Sequence, residues 1–350
     1  MNKNQKNKTP VFIIAEAGSN WKAGSPSADW KRACKLIDAA KFASADAVKF
    51  QTFRADSVYV PNAGASDYLS KRGICESIVD LFHFFSMPYD MIPRLAAYCK
   101  KRKIEFMSSF FSVEDFNAVN PWVKRNKIAS YEITHPRLLK LAAKSGKPLI
   151  LSTGAATYKD IDWAVGYFKR MNGKNLTLLQ CTAKYPAVFD SLNLWAIPNI
   201  SRRYGLPAGF SDHSLDPVVG PVAATALGAV VIEKHFTLSR KLKGPDHAFA
   251  IEPQELRQMV SAVRSCQKAL GSGKKELLPD EEELYLYAQR AVQAISEIAR
   301  GETLKENQNI AILRAGSQKK GMHPRWLARA EGRKAKRHIP LGDGILLTDF

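Results

Sequence analysis

The stretch VVIEKHFTLS, residues 230–239, begins as a buried β-strand and ends in ionisable residues. Its first three residues are β-branched and apolar, and Glu233, Lys234 and His235 follow them directly. Alternate residues of a strand share a face, so Glu233 and His235 point to one side and Lys234 to the other. A strand end that frays into solvent would also carry such residues. In a parallel sheet covered on both faces, however, these groups enter a buried space and require partners or a metal.

The rest of the chain favours the parallel sheet. Eight segments have the apolar character of strands: 11–18, 46–52, 104–110, 123–130, 148–154, 176–182, 207–214 and 230–236. Helical patterns lie between and after them: 27–43, 89–102, 112–118, 136–145, 159–171, 192–204, 217–228 and 253–270. This alternation predicts a (β/α)8 TIM barrel. An open doubly wound sheet alternates in the same way, but AEAGSN at 15–20 lacks its glycine-rich fingerprint.

The alternation stops after residue 270. The segment GSGKKELLPDEEEL, 271–284, has the composition of a polar linker, and the elements beyond it are short and richer in strand than in helix. We therefore predict an α/β barrel domain over 1–270, a linker over 271–288, and a small domain with short β elements over 289–350.

Composition limits the kind of protein. Hydrophobic residues make up 45% and charged residues 24%, as in soluble globular proteins. No apolar run approaches the roughly 20 residues that cross a bilayer, and the start MNKNQKNKTP does not resemble a secretory signal. The five cysteines show no CxxC pairing, which is typical of reduced thiols in a cytoplasm. They are Cys34, Cys75, Cys99, Cys181 and Cys266.

The net charge of +19 is compatible with nucleic-acid, membrane or anionic-substrate binding. The chain shows no RNA-binding motif with interleaved aromatics and no convincing basic amphipathic helix. We therefore interpret the charge as a solvated basic surface, and we expect a cytoplasmic protein with no membrane or nucleic-acid partner.

Polar residues gather at the carboxyl ends of the predicted strands, where barrel enzymes have their active sites. They are Glu16, Lys49, Gln51, Ser109, Lys127, Ser130, Glu132, Ser152, Thr153, Tyr185, Ser211, His213, Glu233 and His235. Several of them are same-face pairs two residues apart. Convergence of so many polar ends on one mouth predicts a site there.

The residue types suggest the chemistry. Serines, threonine and lysines without a Walker loop suit a phosphate held by side chains. His213 and His235 lie on neighbouring strands and could reach one divalent metal, although core histidines are the alternative. Glu233 could orient a water or act as a general base, or it could form a salt bridge to Lys49 or Lys234.

Eight motifs resemble, in the same order, those of the sialic acid synthase family. They are IAEAGSN, ADAVKFQTF, KIASYEIT, KPLILSTGAAT, CTAKYP, GFSDHS, ALGAVVIEKHFTL and GPDHAFAIEPQEL. The resemblance covers residues 11 to about 270. The segment IARGETLKENQNIAILRAG looks like the antifreeze-like domain that follows the barrel in that family.

The resemblance implies a reaction like that of N-acetylneuraminate synthase. Family members condense phosphoenolpyruvate with an N-acetylated aldose, typically N-acetylmannosamine. A divalent metal, Mn²⁺ or Mg²⁺, polarises the aldehyde that C3 of phosphoenolpyruvate attacks. Water then adds at C2, and phosphate leaves. A synthase for a diacetamido or phosphorylated aldose, or a sugar-binding relative without turnover, are the alternatives.

The resemblance also implies roles for individual residues. The metal ligands match His213 and His235. The phosphate ligands match Lys127, Ser130, Ser152 and Ser211. The carboxylate of phosphoenolpyruvate is held near Lys49, Gln51 and Ser109. Residues around the sugar match Glu16, Glu132, Tyr185, Asp246 and Arg314. We assign catalytic roles to Glu16, Glu132 and Glu233, with Glu233 at the water or proton step.

Two departures and one assembly expectation complete the comparison. The family usually shows NHNG after the first strand, whereas this chain has Trp21 there, which we expect at the mouth as a mark of a different aldose. Ala183 replaces a Ser or Asn near the phosphate. In the family the small domain reaches over the barrel of a partner subunit, so we expect a domain-swapped homodimer in which Arg314 acts on the partner's site.

Overall fold

The structure, a computed structural model, describes residues 9–65 and 76–350. Cys75 and the basic residues near the start lie outside this range. By its internal contacts the chain divides into two compact units, Met1–Ser272 and Gly273–Phe350. Each unit is described separately.

The first unit is a closed barrel of eight parallel strands in sequence order, with β1 hydrogen-bonded to both β2 and β8. The strands are β1 Phe12–Gly18, β2 Ala47–Thr52, β3 Glu105–Phe110, β4 Asn126–Ile128, β5 Leu149–Ser152, β6 Leu176–Cys181, β7 Ala208–Asp212 and β8 Val231–His235. The TIM-barrel prediction is confirmed. The register places Glu16 opposite Lys49 on one side and His235 on the other.

A helix follows each strand and covers the barrel. The main helices are α1 Pro26–Phe42, α4 Met91–Arg102, α5 Val113–Val119, α6 Pro136–Lys144, α7 Tyr158–Arg170, α8 Ala196–Tyr204, α9 Val219–Ala226 and α10 Pro253–Ala269. In the described part of the connection between β2 and α4 lie two further helices, α2 Ala55–Val58 and α3 Ile78–Phe85, which were not predicted. No helix in the described ranges is long and apolar enough to cross a membrane.

Apolar side chains close the barrel below the polar mouth. The residues of this interior layer are all nearly or fully buried: Ile14, Ala47, Met107, Ile150, Leu179 and Val231. A larger apolar cluster lies between the strands and the helices. Because this apolar layer fills the interior of the barrel, the polar residues at the carboxyl ends of the strands pack on top of it.

The second unit contains a two-stranded antiparallel sheet of β9 Arg290–Ala294 and β10 Ile310–Arg314. These strands agree with the short β elements predicted for this part of the chain. Helices α11 Glu282–Ala288 and α12 Leu327–Ala330 also belong to it. Its own small core includes Val292, Ile310 and Ile339. Helix α11 lies within the segment predicted as a linker.

Candidate active site

A cavity of about 220 Å³ opens at the carboxyl ends of the barrel strands. Polar side chains from all eight strands or the segments directly after them line it, together with a few apolar groups. The lining residues are Glu16, Lys49, Gln51, Ser109, Lys127, Ala129, Ser130, Tyr131, Ser152, Cys181, Tyr185, Ser211, His213, Glu233, His235, Pro245, Asp246 and Phe249. Thirteen of the fifteen residues given a role in the sequence analysis therefore meet in one cavity; Glu132 and Arg314 are the exceptions. The strand-end residue Thr153 also lies outside the lining, and its hydroxyl donates to the Leu179 carbonyl oxygen at 2.9 Å.

Lys49 lies between the two carboxylates at the centre of the site. Its Nζ is 2.6 Å from Glu16 Oε2 and 3.7 Å from Glu233 Oε1. It also donates a hydrogen bond to Ser109 Oγ at 3.1 Å. Burial lowers the pKa of Lys49, but the carboxylates of Glu16 and Glu233 outweigh that effect and raise it. Lys49 is therefore a fixed positive charge near neutral pH.

Lys127 supplies the second buried ammonium. Its Nζ donates to Ser152 Oγ at 2.8 Å and lies 3.7 Å from Glu233 Oε1. Burial lowers the pKa of Lys127, and Glu233 opposes that effect only in part. Two ammonium groups and two serine hydroxyls in one cavity form a binding surface suited to an anionic ligand.

Glu16 and Glu233 have pKa values shifted in opposite directions. Burial raises the pKa of Glu16 to about 7, although Lys49 acts against it and Gln51 donates to Glu16 Oε1 at 2.8 Å. Burial also acts to raise the pKa of Glu233, but the adjacent Lys127 and Lys49 lower it overall. Near neutral pH, Glu16 is thus partly protonated whereas Glu233 is ionised. Two neighbouring carboxyl groups with such different pKa values are suited to act as acid and base.

Two glycines allow neighbouring groups at the mouth of the cavity to pack closely against the backbone. Gly18 has φ +51°, and a Cβ there would lie 2.8 Å from Asp246 Oδ2. Ser19 Oγ in turn donates to Asp246 Oδ2 at 3.0 Å. At Gly154 a Cβ would lie 2.9 Å from Ser130 Oγ, which instead accepts a hydrogen bond from the Gly154 N–H at 3.0 Å.

The two histidines meet the requirements for part of a metal site. Their ring centroids are 5.4 Å apart, and His235 Nδ1 is buried with no hydrogen-bond partner among the described residues. Burial and the nearby positive groups, His213 first, hold the pKa of His235 well below its usual range. His213 Nδ1 lies 2.7 Å from the carbonyl oxygen of Thr182, so it is the donor, and Nε2, 4.0 Å from Cys181 Sγ, is the nitrogen that could bind a metal.

Two imidazoles do not complete a coordination shell. Among the described residues, no group of three or more His, Cys, Asp or Glu side chains could hold a metal ion. Water and substrate oxygens would have to supply the other ligands, as catalytic metals allow. Burial lowers the pKa of His213, but the sulfur of Cys181, 3.8 Å from Nδ1, raises it overall, so a metal at this ring would have to compete with protons.

Four residues that the family resemblance singled out lie outside the lining of the cavity. Glu132 ends the 3₁₀ turn Ser130–Glu132, where burial raises its pKa to about 7. Arg314 is exposed at the end of β10, directly opposite Arg290. Ala183 is half-buried in the loop after β6. The expectation that Trp21 stands at the mouth was wrong, because its indole is fully buried in the hydrophobic core.

Several lining residues were not predicted from the sequence: Ala129, Tyr131, Cys181, Pro245 and Phe249. Cys181 ends β6 and so lies at the edge that the strand-end argument should have included. The Tyr185 ring lies 4.1 Å from the ring of His213 and 4.9 Å from that of Phe249. The aromatic side of the pocket arises from loops, for which strand periodicity offers no guide.

The fold and the site together define a TIM-barrel protein with a charged small-molecule site at its mouth. Comparison with known proteins specifies the family. The chain belongs to the NeuB family, whose model matches residues 36–275.

Similar proteins cover nearly the whole chain. The spore coat polysaccharide biosynthesis protein SpsE of Bacillus subtilis is 37% identical, over 100% of this chain and 96% of the relative. A pseudaminic acid synthase of Campylobacter jejuni is 35% identical, over 97% of this chain and 96% of its own. The crystal structure of an N-acetylneuraminic acid synthetase from Leptospira borgpetersenii, in complex with citrate, superposes with a TM-score of 0.69 at 35% identity. It covers 79% of this chain and 90% of that one.

Proposed function

We propose that this protein is a nonulosonic acid synthase that condenses phosphoenolpyruvate with an N-acetylated aldose and releases phosphate. The observation that carries the proposal is the meeting of Lys49, Lys127, Glu16 and Glu233 in one cavity, where the pKa values of the two carboxyl groups are shifted in opposite directions. Membership of the NeuB family supports the same reaction class.

Phosphoenolpyruvate carries a phosphate and a carboxylate, and the cavity offers one ammonium for each. Lys127 and Ser152 are already joined by a hydrogen bond, and they would bind the phosphate with Ser130 and Ser211. Lys49 and Ser109 form the second such pair and would bind the carboxylate with Gln51. Charge-assisted hydrogen bonds of this kind are stronger than neutral ones and fix the orientation of the ligand.

His213 and His235 would hold a divalent metal, Mn²⁺ or Mg²⁺. His213 would use Nε2, which has Cys181 Sγ as a neighbour at 4.0 Å, and the buried Nδ1 of His235 has no hydrogen-bond partner among the described residues. When bound, such a metal supplies Lewis acidity toward the aldehyde oxygen of the aldose. Asp246, Glu132 and Tyr185 would orient the rest of the sugar.

The two carboxylates would move the protons. The new bond joins C3 of phosphoenolpyruvate to the aldehyde carbon, and water then adds to C2 before the C2–O bond to phosphate breaks. Glu233 is ionised, and its Oε2 has no hydrogen-bond partner in the described structure, so it can accept the proton of that water. Glu16, with a pKa of about 7, can donate a proton to the oxygen that becomes the new hydroxyl group.

The complete site would require two chains. Arg314 is exposed and lies opposite Arg290, a cross-strand pair of like charges that is unfavourable by itself. Arg290 Nη1 donates to the Ile312 carbonyl oxygen at 3.0 Å, and a carbonyl oxygen or anion of a ligand would play the same part for Arg314. The barrel loops near the mouth expose large apolar side chains, Tyr131, Phe189 and Trp195 among them. A two-fold dimer in which Arg314 of one chain serves the barrel of the other would use both features.

The identity of the product tests the proposal. The protein would be incubated with phosphoenolpyruvate, Mn²⁺ and a panel of aldoses: N-acetylmannosamine, its 6-phosphate, and 2,4-diacetamido hexoses. Relatives include pseudaminic acid and N,N'-diacetyllegionaminic acid synthases, which justifies the diacetamido compounds. A product with the mass of aldose plus phosphoenolpyruvate plus water minus phosphoric acid supports the proposal. Absence of such a product with every aldose rejects it.

A further inference from the structure

Lys234 separates the two functional residues of β8 in sequence, but it faces the other side of the strand. Its side chain is 1% exposed, and its Nζ lies 2.6 Å from Asp212 Oδ2. The same ammonium donates to the Ser214 carbonyl oxygen at 2.6 Å and to Ser214 Oγ at 3.2 Å. The barrel wall thus contains a fully buried ion pair just outside the cavity.

The partners of Lys234 lie on either side of His213 in the chain. Asp212 Oδ1 also accepts a hydrogen bond from the Ser214 N–H at 2.8 Å, so Asp212 and Ser214 are joined to each other as well as to Lys234. Helix α9 packs against the same carboxylate, because a Cβ on Gly220 would lie 3.1 Å from Asp212 Oδ2. The backbone on both sides of His213 is therefore held from outside the barrel.

Stability alone does not explain this arrangement. A buried ion pair often contributes no more than well-packed apolar residues of similar size, since desolvation offsets the attraction. Here, however, one ammonium fixes three acceptors on a three-residue segment whose middle residue points into the cavity. We propose that Lys234 and Asp212 are positioning residues that set the ring of His213 relative to His235.

The inference rests on the proposed function in one respect: the reason for fixing the His213 ring is that it would hold a divalent metal. The geometry itself concerns the protein alone. A test must therefore measure the position of the His213 ring in metal-free protein and measure metal binding separately.

The main variant is the double substitution Lys234→Met and Asp212→Asn. It removes both charges, retains similar side-chain volumes, and leaves an oxygen that can accept from the Ser214 N–H. Gly220→Ala is a second variant, which presses on the Asp212 carboxylate while adding a favourable helix residue. Arg264→Met is the matched control, since it removes the 2.7 Å ion pair to Asp46 at the opposite end of the barrel.

The readout is the set of imidazole nitrogen resonances in histidine-labelled protein without metal, with His213 assigned through His213→Gln. His247 serves as an internal reference, because it is buried and bonded to Thr237 Oγ1 at 2.6 Å. In the double variant and in Gly220→Ala we expect the His213 resonances to shift and those of His247 to stay. We also expect roughly 10-fold or greater weakening of Mn²⁺ binding, the usual effect of losing groups that orient a ligand. The control should change neither.

A double variant that folds and keeps its His213 resonances and its Mn²⁺ affinity would overturn the inference. If the wild-type protein itself binds no Mn²⁺, the metal part of the proposed function fails, and the resonances of His213 still decide whether the pair positions this ring.

Discussion

At the scale of single residues, the binding of anions depends on the buried ammonium groups. Lys127 donates to Ser152 and lies in a cavity closed from below by apolar side chains. We predict that Lys127→Met raises the KM for phosphoenolpyruvate roughly 10- to 100-fold, because a charged hydrogen bond contributes about 1.5–3 kcal/mol. Steady-state kinetics with phosphoenolpyruvate as the varied substrate measures this.

Lys124→Met is the control for Lys127, since it removes an exposed lysine three residues earlier. It should leave the KM unchanged. An equal effect of both substitutions would show that net charge, and no specific contact, attracts the substrate.

Glu132 allows a pH prediction that is independent of turnover. Burial raises its pKa from 4.5 to about 7, so between these values the folded protein binds more protons than the unfolded chain. Stability contributed by the neutral carboxyl is therefore present at low pH and is lost as the pH rises toward 7. We predict that Glu132→Gln gains stability relative to wild type over this window, by about 1 kcal/mol or less per pH unit.

Thermal unfolding at pH 5, 6, 7 and 8 would measure the difference between Glu132→Gln and wild type. The gap should widen up to about pH 7 and then level off. Glu114→Gln, at an exposed position, controls for net charge. A gap that is constant across the series contradicts the burial argument for Glu132.

Most residues predicted for the site line one cavity because strand phase is a simple geometric rule. Knowing that Glu233 and His235 share a face was enough to direct them inward, and the register of neighbouring strands brought Glu16 and Lys49 beside them. The same rule says nothing about Phe249, which a 3₁₀ turn carries. The expectation for Trp21 came from the family pattern, and it was wrong because a loop residue can turn its ring into the core.

At the scale of elements, the end of β5 must approach the turn after β4 closely. A Cβ at Gly154 would lie 2.9 Å from Ser130 Oγ and 3.0 Å from Cys181 Sγ. We predict that Gly154→Ala displaces Ser130 and weakens phosphoenolpyruvate binding roughly 10-fold or more, by loss of a phosphate contact worth about 1–3 kcal/mol. Isothermal titration with phosphoenolpyruvate would measure this.

Gly166→Ala is the matched control for Gly154→Ala. It lies inside α7, where the added methyl meets only the flexible end of Arg170 at 3.4 Å. Alanine there should stabilise the helix by about 0.5–1 kcal/mol and leave binding intact. Normal affinity in Gly154→Ala would mean that Ser130 does not contact the phosphate.

The strands and helices were predicted to within a few residues where apolar periodicity was strong. β4 is shorter than expected, Asn126–Ile128 against 123–130. Just before it, Arg125 pairs with Glu105 at 2.7 Å and lies 4.1 Å over the ring of Phe12, and just after it a 3₁₀ turn begins at Ser130. Helix α3 is only one short segment, IVDLFHFF, apolar except for Asp80 and His83, and no helix was predicted there. Apolar periodicity does not predict such tertiary contacts, and it cannot decide between helix and strand for a short apolar run.

At the scale of the whole molecule, the dimer proposal predicts complementation between two inactive proteins. If Arg314 acts on the partner's barrel, a mixed dimer of His235→Ala and Arg314→Ala has one site with both residues intact. Random exchange of equal amounts should restore roughly a quarter of wild-type sites, since about half of the dimers are mixed. Phosphate release after subunit exchange measures this.

Mixing each variant with itself is the control, and exchange must be shown with two differently tagged chains. If Arg314 served its own barrel, every site would keep one defect and activity would remain at the parental level. Absence of recovery after demonstrated exchange therefore refutes the trans arrangement.

The central claim is that the cavity at the barrel mouth joins phosphoenolpyruvate to an aldose by addition of water at C2. The most direct measurement uses phosphoenolpyruvate with ¹⁸O in the oxygen that bridges C2 and phosphorus, together with the accepted aldose. Mass spectrometry should find the label in the released phosphate and none in the nonulosonic acid, because the C2–O bond breaks. Label retained in the organic product, or no phosphate released with any aldose, would contradict the account.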